Sequence, residues 1–319
     1  MKVVVTHTSP DLDAITSVWL IKRYLPGWED AKVEFVPAGE RLGTSVADKN
    51  FLVPHSQTAR HANSENFISS LRKDISPIEQ IRGNDVIHVD TGMGPLDHHQ
   101  TSSDKVCAAS LTWEYVKNQN LEMKGQGSER MKDKIEAIDR IVKVVIDIDH
   151  FKELFWENPN ADYHDFSLFG VLEGLKLQKM DDDEYYLEFI TNCLDALLHE
   201  FQNKIWAERE IAENGVEFKT KWGKGIGFST INDSVIKLAQ KMGYVVVLRK
   251  DPRKGYVRIK AKPGTNLTLA FEKFKKVDPN ATWFLHISKN MLLNGSVKNP
   301  KMRPSSLNLG QIIDILKTI

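Results

Sequence analysis

At 319 residues, 41% hydrophobic and 27% charged, the chain can bury a real core and, at ordinary domain sizes, form two domains. Its two cysteines, Cys107 and Cys193, make no disulfide framework and no cysteine-metal spacing, and no apolar run has membrane-spanning length. The start, Met1-Lys2-Val3-Val4-Val5-Thr6-His7, turns polar too soon for a signal peptide, so a cytoplasmic protein with buried free thiols and no membrane partner is expected. A formal net charge of zero hides an asymmetry: Lys219 to Arg303 holds 19 Lys and Arg against 4 Asp and Glu, a balance of +15. A stretch that basic suits a polyanionic partner.

Lys2 to Thr6 reads as a short apolar strand ending at His7. The loop Thr8-Ser9-Pro10-Asp11-Leu12-Asp13 follows, and then a helix from Ala14 to Tyr24 stopped by Pro26-Gly27. His7, Asp11 and Asp13 therefore stand where a strand hands over to a helix. Lys32 to Ala38 is the next strand, closing a βαβ unit. Residues 43 to 82 read as a loop, with a helix over Glu65 to Lys73; His55 and His61 there are surface histidines.

Val86 to Val89 is a buried strand ending at Asp90. A tight loop, Thr91-Gly92-Met93-Gly94-Pro95, leads to Asp97, His98 and His99. Ligands of open α/β sheets gather at the carboxyl ends of strands, so both loops should share one crevice. Mixed carboxylates and imidazoles there suit a transition metal better than magnesium or calcium alone.

Ala108 to Lys117 is a helix, Gly125-Gln126-Gly127 a break, and Ser128 an N-cap. A long amphipathic helix then runs to Asp147, Asp149 and His150. Acids at a helix C-terminus oppose the macrodipole and call for another reason, such as a metal. The two are about 200° apart around the helix, so only one can face the site. The acidic run Asp181 to Glu184 opens another long helix that reaches about Ala212. Beyond Asn214-Gly215, strands are predicted at Tyr244 to Leu248, Val257 to Lys260 and Trp283 to Ile287. Helices are predicted at Leu267 to Phe274 and Leu309 to Lys317.

The ordered set H-x3-D-x-D, then Asp90, then D-H-H seven residues on, then an acid closing a helix, resembles the DHH phosphoesterase superfamily. The resemblance covers the N-terminal half by motif and the whole chain by architecture. It implies an α/β fold: a mostly parallel DHH-type domain over residues 1–180, a helical connector over 181–214 and a smaller α/β domain over 215–319. It also implies two metal ions, usually Mn2+, with Mg2+ or Co2+ as substitutes. His7, Asp11, Asp13, Asp90, His98 and Asp149 would be their ligands, with Asp90 bridging and Asp149 chosen over Asp147. His99 would face the substrate phosphate, and Asp97 would orient the histidines.

D-H-H-Q and F-L-H-I-S-K-N-M-L-L-N-G-S are similar to the branch of melanocyte-proliferating-gene proteins, which are RNA exonucleases. Trp206-Ala207-Glu208-Arg209 suits that branch too. Two positions depart from it: Asn294-Gly295 stands in place of a double glycine, and His150 follows the fourth-motif acid. The Ser-Arg-Lys signature of the pyrophosphatase branch is missing.

These readings predict a metal-dependent phosphodiesterase acting on short RNA or single-stranded DNA. His286, Lys289, Lys298 and Arg303 are candidates to hold substrate, with homodimer formation left open. The competing expectations are a phosphatase or phosphodiesterase for pyrophosphate, a nucleoside bisphosphate or a cyclic dinucleotide, and a catalytically dead nucleic-acid-binding protein.

Overall fold

Val3, Val4, Val5, Val86, Ile87 and Val89 are all buried, and they build the sheet that carries the site. In the computed structural model, which describes residues 1–43, 76–120, 123, 128–296, 299 and 301–319, they lie on β1 (Lys2–His7) and on or just beyond β4 (Asn84–His88). With β2 (Lys32–Val36) and β3 (Ile78–Ile81) these form a four-stranded sheet of order β2-β1-β4-β3. The two pairings of β1 are parallel and that of β3 with β4 is antiparallel, so the sheet is mixed. Val5 pairs with His88, and Val89 N–H donates to the Val5 carbonyl at 2.9 Å. That register sets the end of β1 level with Asp90.

The α-helix α1 (Leu12–Tyr24) returns from β1 to β2 and is buried on most of its faces. It packs with α2 (Ala108–Gln119) and α3 (Glu129–Asp149). The buried face of α3, Ala137, Ile138, Ile141, Val142 and Val145, has helical spacing. Ser128 precedes α3 as expected, but its hydroxyl makes no cap bond. Two further helices, α4 (Asp162–Asp165) and α5 (Leu168–Gln178), lie before α6 (Asp183–Asn214). The helix expected over Glu65 to Lys73, and His55, His61 and Lys298, fall outside the described residues.

A buried tie fixes α1 to α6. The indole Nε1 of Trp19, a residue with no exposed surface, donates to Asp195 Oδ1 at 2.8 Å, and Arg23 Nη2 donates to Asp195 Oδ2 at 2.8 Å. Replacing Asp195 by Ala strands the indole N–H and is expected to cost about 1–3 kcal/mol. Asp195→Asn keeps an acceptor and loses only a half-exposed ion pair, about 1 kcal/mol or less. Urea denaturation of both variants checks the order; an alanine variant no weaker than the asparagine variant would remove the indole bond from the account.

The chain divides into two compact units, Met1–Phe201 and Gln202–Ile319, with the division inside α6. The described residues of the second unit hold six strands. They are β5 (Val216–Thr220), β6 (Gly223–Ser229), β7 (Val246–Lys250), β8 (Val257–Ala261), β9 (Phe284–Leu285) and β10 (Met291–Asn294), in the order β5-β6-β7-β8-β10-β9. Only β6 and β7 pair in parallel, joined by helix α7 (Ser234–Lys241). Side chains alternate across this sheet. Val246 and Leu248 pack with Phe274, Trp283 and Ile312, from the region of α8 (Thr268–Val277) and α9 (Leu309–Lys317). Val247 on the opposite face packs with Ala207, Ile211, Phe228 and Ile236. The described residues are thus mixed α/β with two sheets, and no described helix is long and apolar enough to cross a membrane.

Candidate metal centre

Asp90 holds a left-handed backbone, φ 54°, immediately after the strand that carries it. Aspartate tolerates that region better than most residues. The turn brings its side chain among three imidazoles. Oδ2 is 3.2 Å from His7 Nε2; Oδ1 is 3.5 Å from His98 Nε2 and 3.7 Å from His99 Nδ1. Asp90 is 2% exposed, yet Oδ1 has no hydrogen-bond partner.

His7 closes β1. Its Nδ1 donates to the Thr8 carbonyl at 2.9 Å, which leaves Nε2 as the lone-pair nitrogen. A lone pair and a carboxylate oxygen at 3.2 Å repel unless a cation or a proton lies between them. Metal-ligating histidines commonly show this pattern, one nitrogen donating to a carbonyl and the other turned to the ion. Asp11 is the N-cap of α1, accepting from Ala14 N–H at 2.9 Å. One ligand atom each of His7, Asp11 and Asp90 lie within 4.8 Å of one another.

Asp13 is buried and reaches across to α2. Its two carboxylate oxygens accept from the backbone N–H groups of Ala108 and Ala109, 2.7 Å each. An anion at a helix N-terminus meets free donors and a favourable dipole. Its Oδ2 is 3.7 Å from His98 Nε2, and each oxygen keeps a further lone pair that an ion could use.

Asp97 is fully buried and pins the D-H-H loop. Oδ2 accepts from Met93 N–H at 2.7 Å; Oδ1 accepts from His99 N–H at 3.0 Å and from His99 Nδ1 at 2.7 Å. Asp97 therefore orients His99. His99 is 59% exposed, with Nε2 as its remaining donor.

The end of α3 supplies the last candidate ligands. Asp147 pairs with Lys143 at 2.6 Å, while Asp149 Oδ2 is 3.7 Å from His98 Nδ1. Asp149 Oδ2 is buried and without a hydrogen-bond partner. His150, to which the sequence reading gave no role, has Nε2 3.6 Å from the same oxygen.

Burial and crowding displace the proton affinities of the cluster. Burial, then Asp11, push Asp90 well above the carboxylate range. Burial, then Asp90, raise Asp13; burial, then Asp11, lift Asp149 to about 6. Burial, then His99, press His98 down to about 4. The hydrogen bond to Asp97 raises His99 and keeps it a cation. Burial pushes Asp97 upward, but the bonds from His99 and Met93 outweigh it and hold its carboxyl low. Carboxylate oxygens and imidazole nitrogens packed this tightly fit divalent ions of the Mn, Fe, Co or Zn type.

In the second unit, His286 lies on the turn between β9 and β10, hydrogen-bonded through Nδ1 to Ser288 Oγ at 2.7 Å. Lys289 and Arg303 are exposed. Part of the basic excess serves the interior. Arg249 is 7% exposed, with Nε 2.6 Å from Asp233, and Lys250 donates to the Gly255 and Ser305 carbonyls at 2.9 and 2.7 Å.

No family model matches the chain and no curated protein matches it. Among solved structures it is similar to an uncharacterized protein from Helicobacter pylori G27, with 14% identity over 99% of each chain and a TM-score of 0.24. It is also similar to PggH, a pGpG-specific phosphodiesterase from Vibrio cholerae, with 12% identity over 93% of this chain and 94% of that one and a TM-score of 0.28. At such scores neither likeness bears on function.

Proposed function

We propose that the protein is a cytoplasmic, metal-dependent phosphodiesterase that hydrolyses short RNA or single-stranded DNA. The observation that carries this reading is the convergence on Asp90 of His7, His98 and His99, with Asp11 beside it and Asp149 beside His98. His7, Asp11 and Asp90 would hold one ion. Asp90 and His98, through Nε2, would hold the other, joined by Asp13 through its spare lone pairs, with Asp149 on the Nδ1 side of the same ring. Bound divalent cations supply Lewis acidity toward a phosphoryl oxygen and a nucleophile at neutral pH.

The chain's own groups supply the rest. The bond to Asp97 holds His99 as an imidazolium, which leaves its Nε2–H as a charged donor for an anionic substrate. The Asp97 bond to Met93 N–H holds the Thr91–Gly94 turn, and with it the backbone of Asp90. The choice of an oligonucleotide rests on the basic second half and on the resemblance to the exonuclease branch. His286, Lys289, Lys298 and Arg303 are the residues proposed to hold the chain of phosphates.

The test is a hydrolysis panel with metal-free protein and added Mn2+. Its substrates are a short oligoribonucleotide, single-stranded DNA, a cyclic dinucleotide, a nucleoside bisphosphate and pyrophosphate. Oligonucleotide turnover that chelation abolishes and Mn2+ restores is expected. Turnover of pyrophosphate or a bisphosphate alone would move the assignment to a small-substrate phosphatase, and turnover of none would remove the enzyme reading.

A further inference from the structure

Asp149 is the last residue of α3 and His150 its C-cap. Phe151 then takes a left-handed backbone, φ 54°, and its N–H returns to the Ile148 carbonyl at 3.0 Å. The reversal leaves the His150 ring half-buried beside Asp149, edge-on to His98, with centroids 6.0 Å apart and planes at 87°. His98 thus has acids on two sides. Nε2 faces Asp13 and Asp90, while Nδ1 faces Asp149.

Asp149 Oδ2 is the centre of this second face. It is buried and accepts no hydrogen bond, although His98 Nδ1 stands at 3.7 Å and His150 Nε2 at 3.6 Å. Both distances are too long for hydrogen bonds. They are close to what one ion imposes, since two ligands each about 2.1 Å from a tetrahedral cation lie roughly 3.4 Å apart. One ligand atom each of His98, Asp149 and His150 lie within 4.8 Å of one another. His150 Nε2 donates meanwhile to the Val106 carbonyl at 3.0 Å.

We infer that His150 is a metal ligand, completing with His98 and Asp149 a seat of two imidazoles and one carboxylate. This rests on the proposed metal centre and adds to it a ligand and a preference. To ligate, His150 moves its proton from Nε2 to Nδ1 and releases the Val106 carbonyl; no proton is lost overall. Two nitrogen ligands favour Co2+, Zn2+, Fe2+ or Mn2+ over Mg2+, which prefers oxygen. The acid's neighbour therefore sets which ion the seat accepts.

The test titrates Co2+ into metal-free full-length protein, followed by calorimetry and by the visible absorption of the bound ion. Wild type, His150→Gln, His150→Asn, Asp147→Asn and Asp90→Asn are compared, each checked by circular dichroism for retained fold. Glutamine keeps a donor for the Val106 carbonyl but has no imidazole. Both His150 variants are expected to bind one Co2+ equivalent at least roughly tenfold more weakly. That equivalent should show an altered spectrum and a reduced preference over Mg2+, while the other equivalent and Asp147→Asn stay as in wild type. Folded His150 variants with unchanged stoichiometry, affinity and spectrum would make His150 a helix cap and overturn the inference. If Asp90→Asn alone loses Co2+, the metal centre survives without this ligand; a wild type that binds no Co2+ would remove both.

Discussion

Asp90→Asn is expected to lower the Mn2+-supported rate by at least about 100-fold, a barrier increase of ~2.7 kcal/mol. The reason is position. Asp90 approaches His7 with one oxygen and His98 and His99 with the other, so it is the group that both proposed cation positions share. Its loss removes a ligand from each. The fold should survive, because asparagine also tolerates the left-handed backbone at φ 54°. The metal-free protein should be no less stable than wild type, since the change removes a carboxyl whose charged form burial and the neighbouring acids already disfavour. Rate, bound metal and melting temperature should be measured on one preparation. A variant keeping more than about a tenth of the wild-type rate, a loss below ~1.4 kcal/mol, would show that Asp90 is no bridge.

Oligonucleotide binding is expected to weaken steeply with salt and to tighten with length. Each phosphate contact on a single strand contributes a slope of about −0.7 in log K against log salt. Three contacts would then cost roughly twenty-fold between 50 and 200 mM salt. Arg303→Ala should flatten the slope by about one unit or less and weaken binding whatever the sequence. Arg249 is a poor choice for this test, because it is buried against Asp233 and its loss would unsettle the second unit. The Asp90→Asn protein, catalytically silent, is the one to titrate with oligonucleotides of rising length. Affinity independent of both length and salt would sink the polyanion reading and favour a small phosphate ester.

The site was more legible than the fold around it. The ends of β1 and β4 could be placed because apolar runs stop abruptly at His7 and Asp90, and the structure brings both to one level. The geometry also separates two acids that spacing alone left tied: Asp147 turns to Lys143, Asp149 to His98. His150 was noticed only as a departure, because its relevance depends on the reversal at Phe151, which no local pattern announces.

The second unit shows why strands were missed. In β6, Gly223, Gly225 and Gly227 dilute the apolar signal. A Cβ on Gly225 would sit 2.5 Å from the Phe218 ring, so the glycine that hides the strand is what lets the aromatic lie across it. The four residues of β3 and the four of β10 are too short for a period to register. Strands that were predicted shifted or shrank: Tyr244 to Leu248 became Val246–Lys250, and Trp283 to Ile287 became Phe284–Leu285.

Asp13 places its carboxylate against the first amides of α2 while turning the same group toward His98. Whatever neutralises or withdraws that carboxylate is felt twice, once as a change in the ligand field and once as the loss of an anchor at the helix start. An ion bound there as proposed would link its occupancy to helix integrity by mass action. If the centre is loaded as proposed, chelation is expected to loosen the start of α2 as well, and the amides of Ala108 and Ala109 would report that loading.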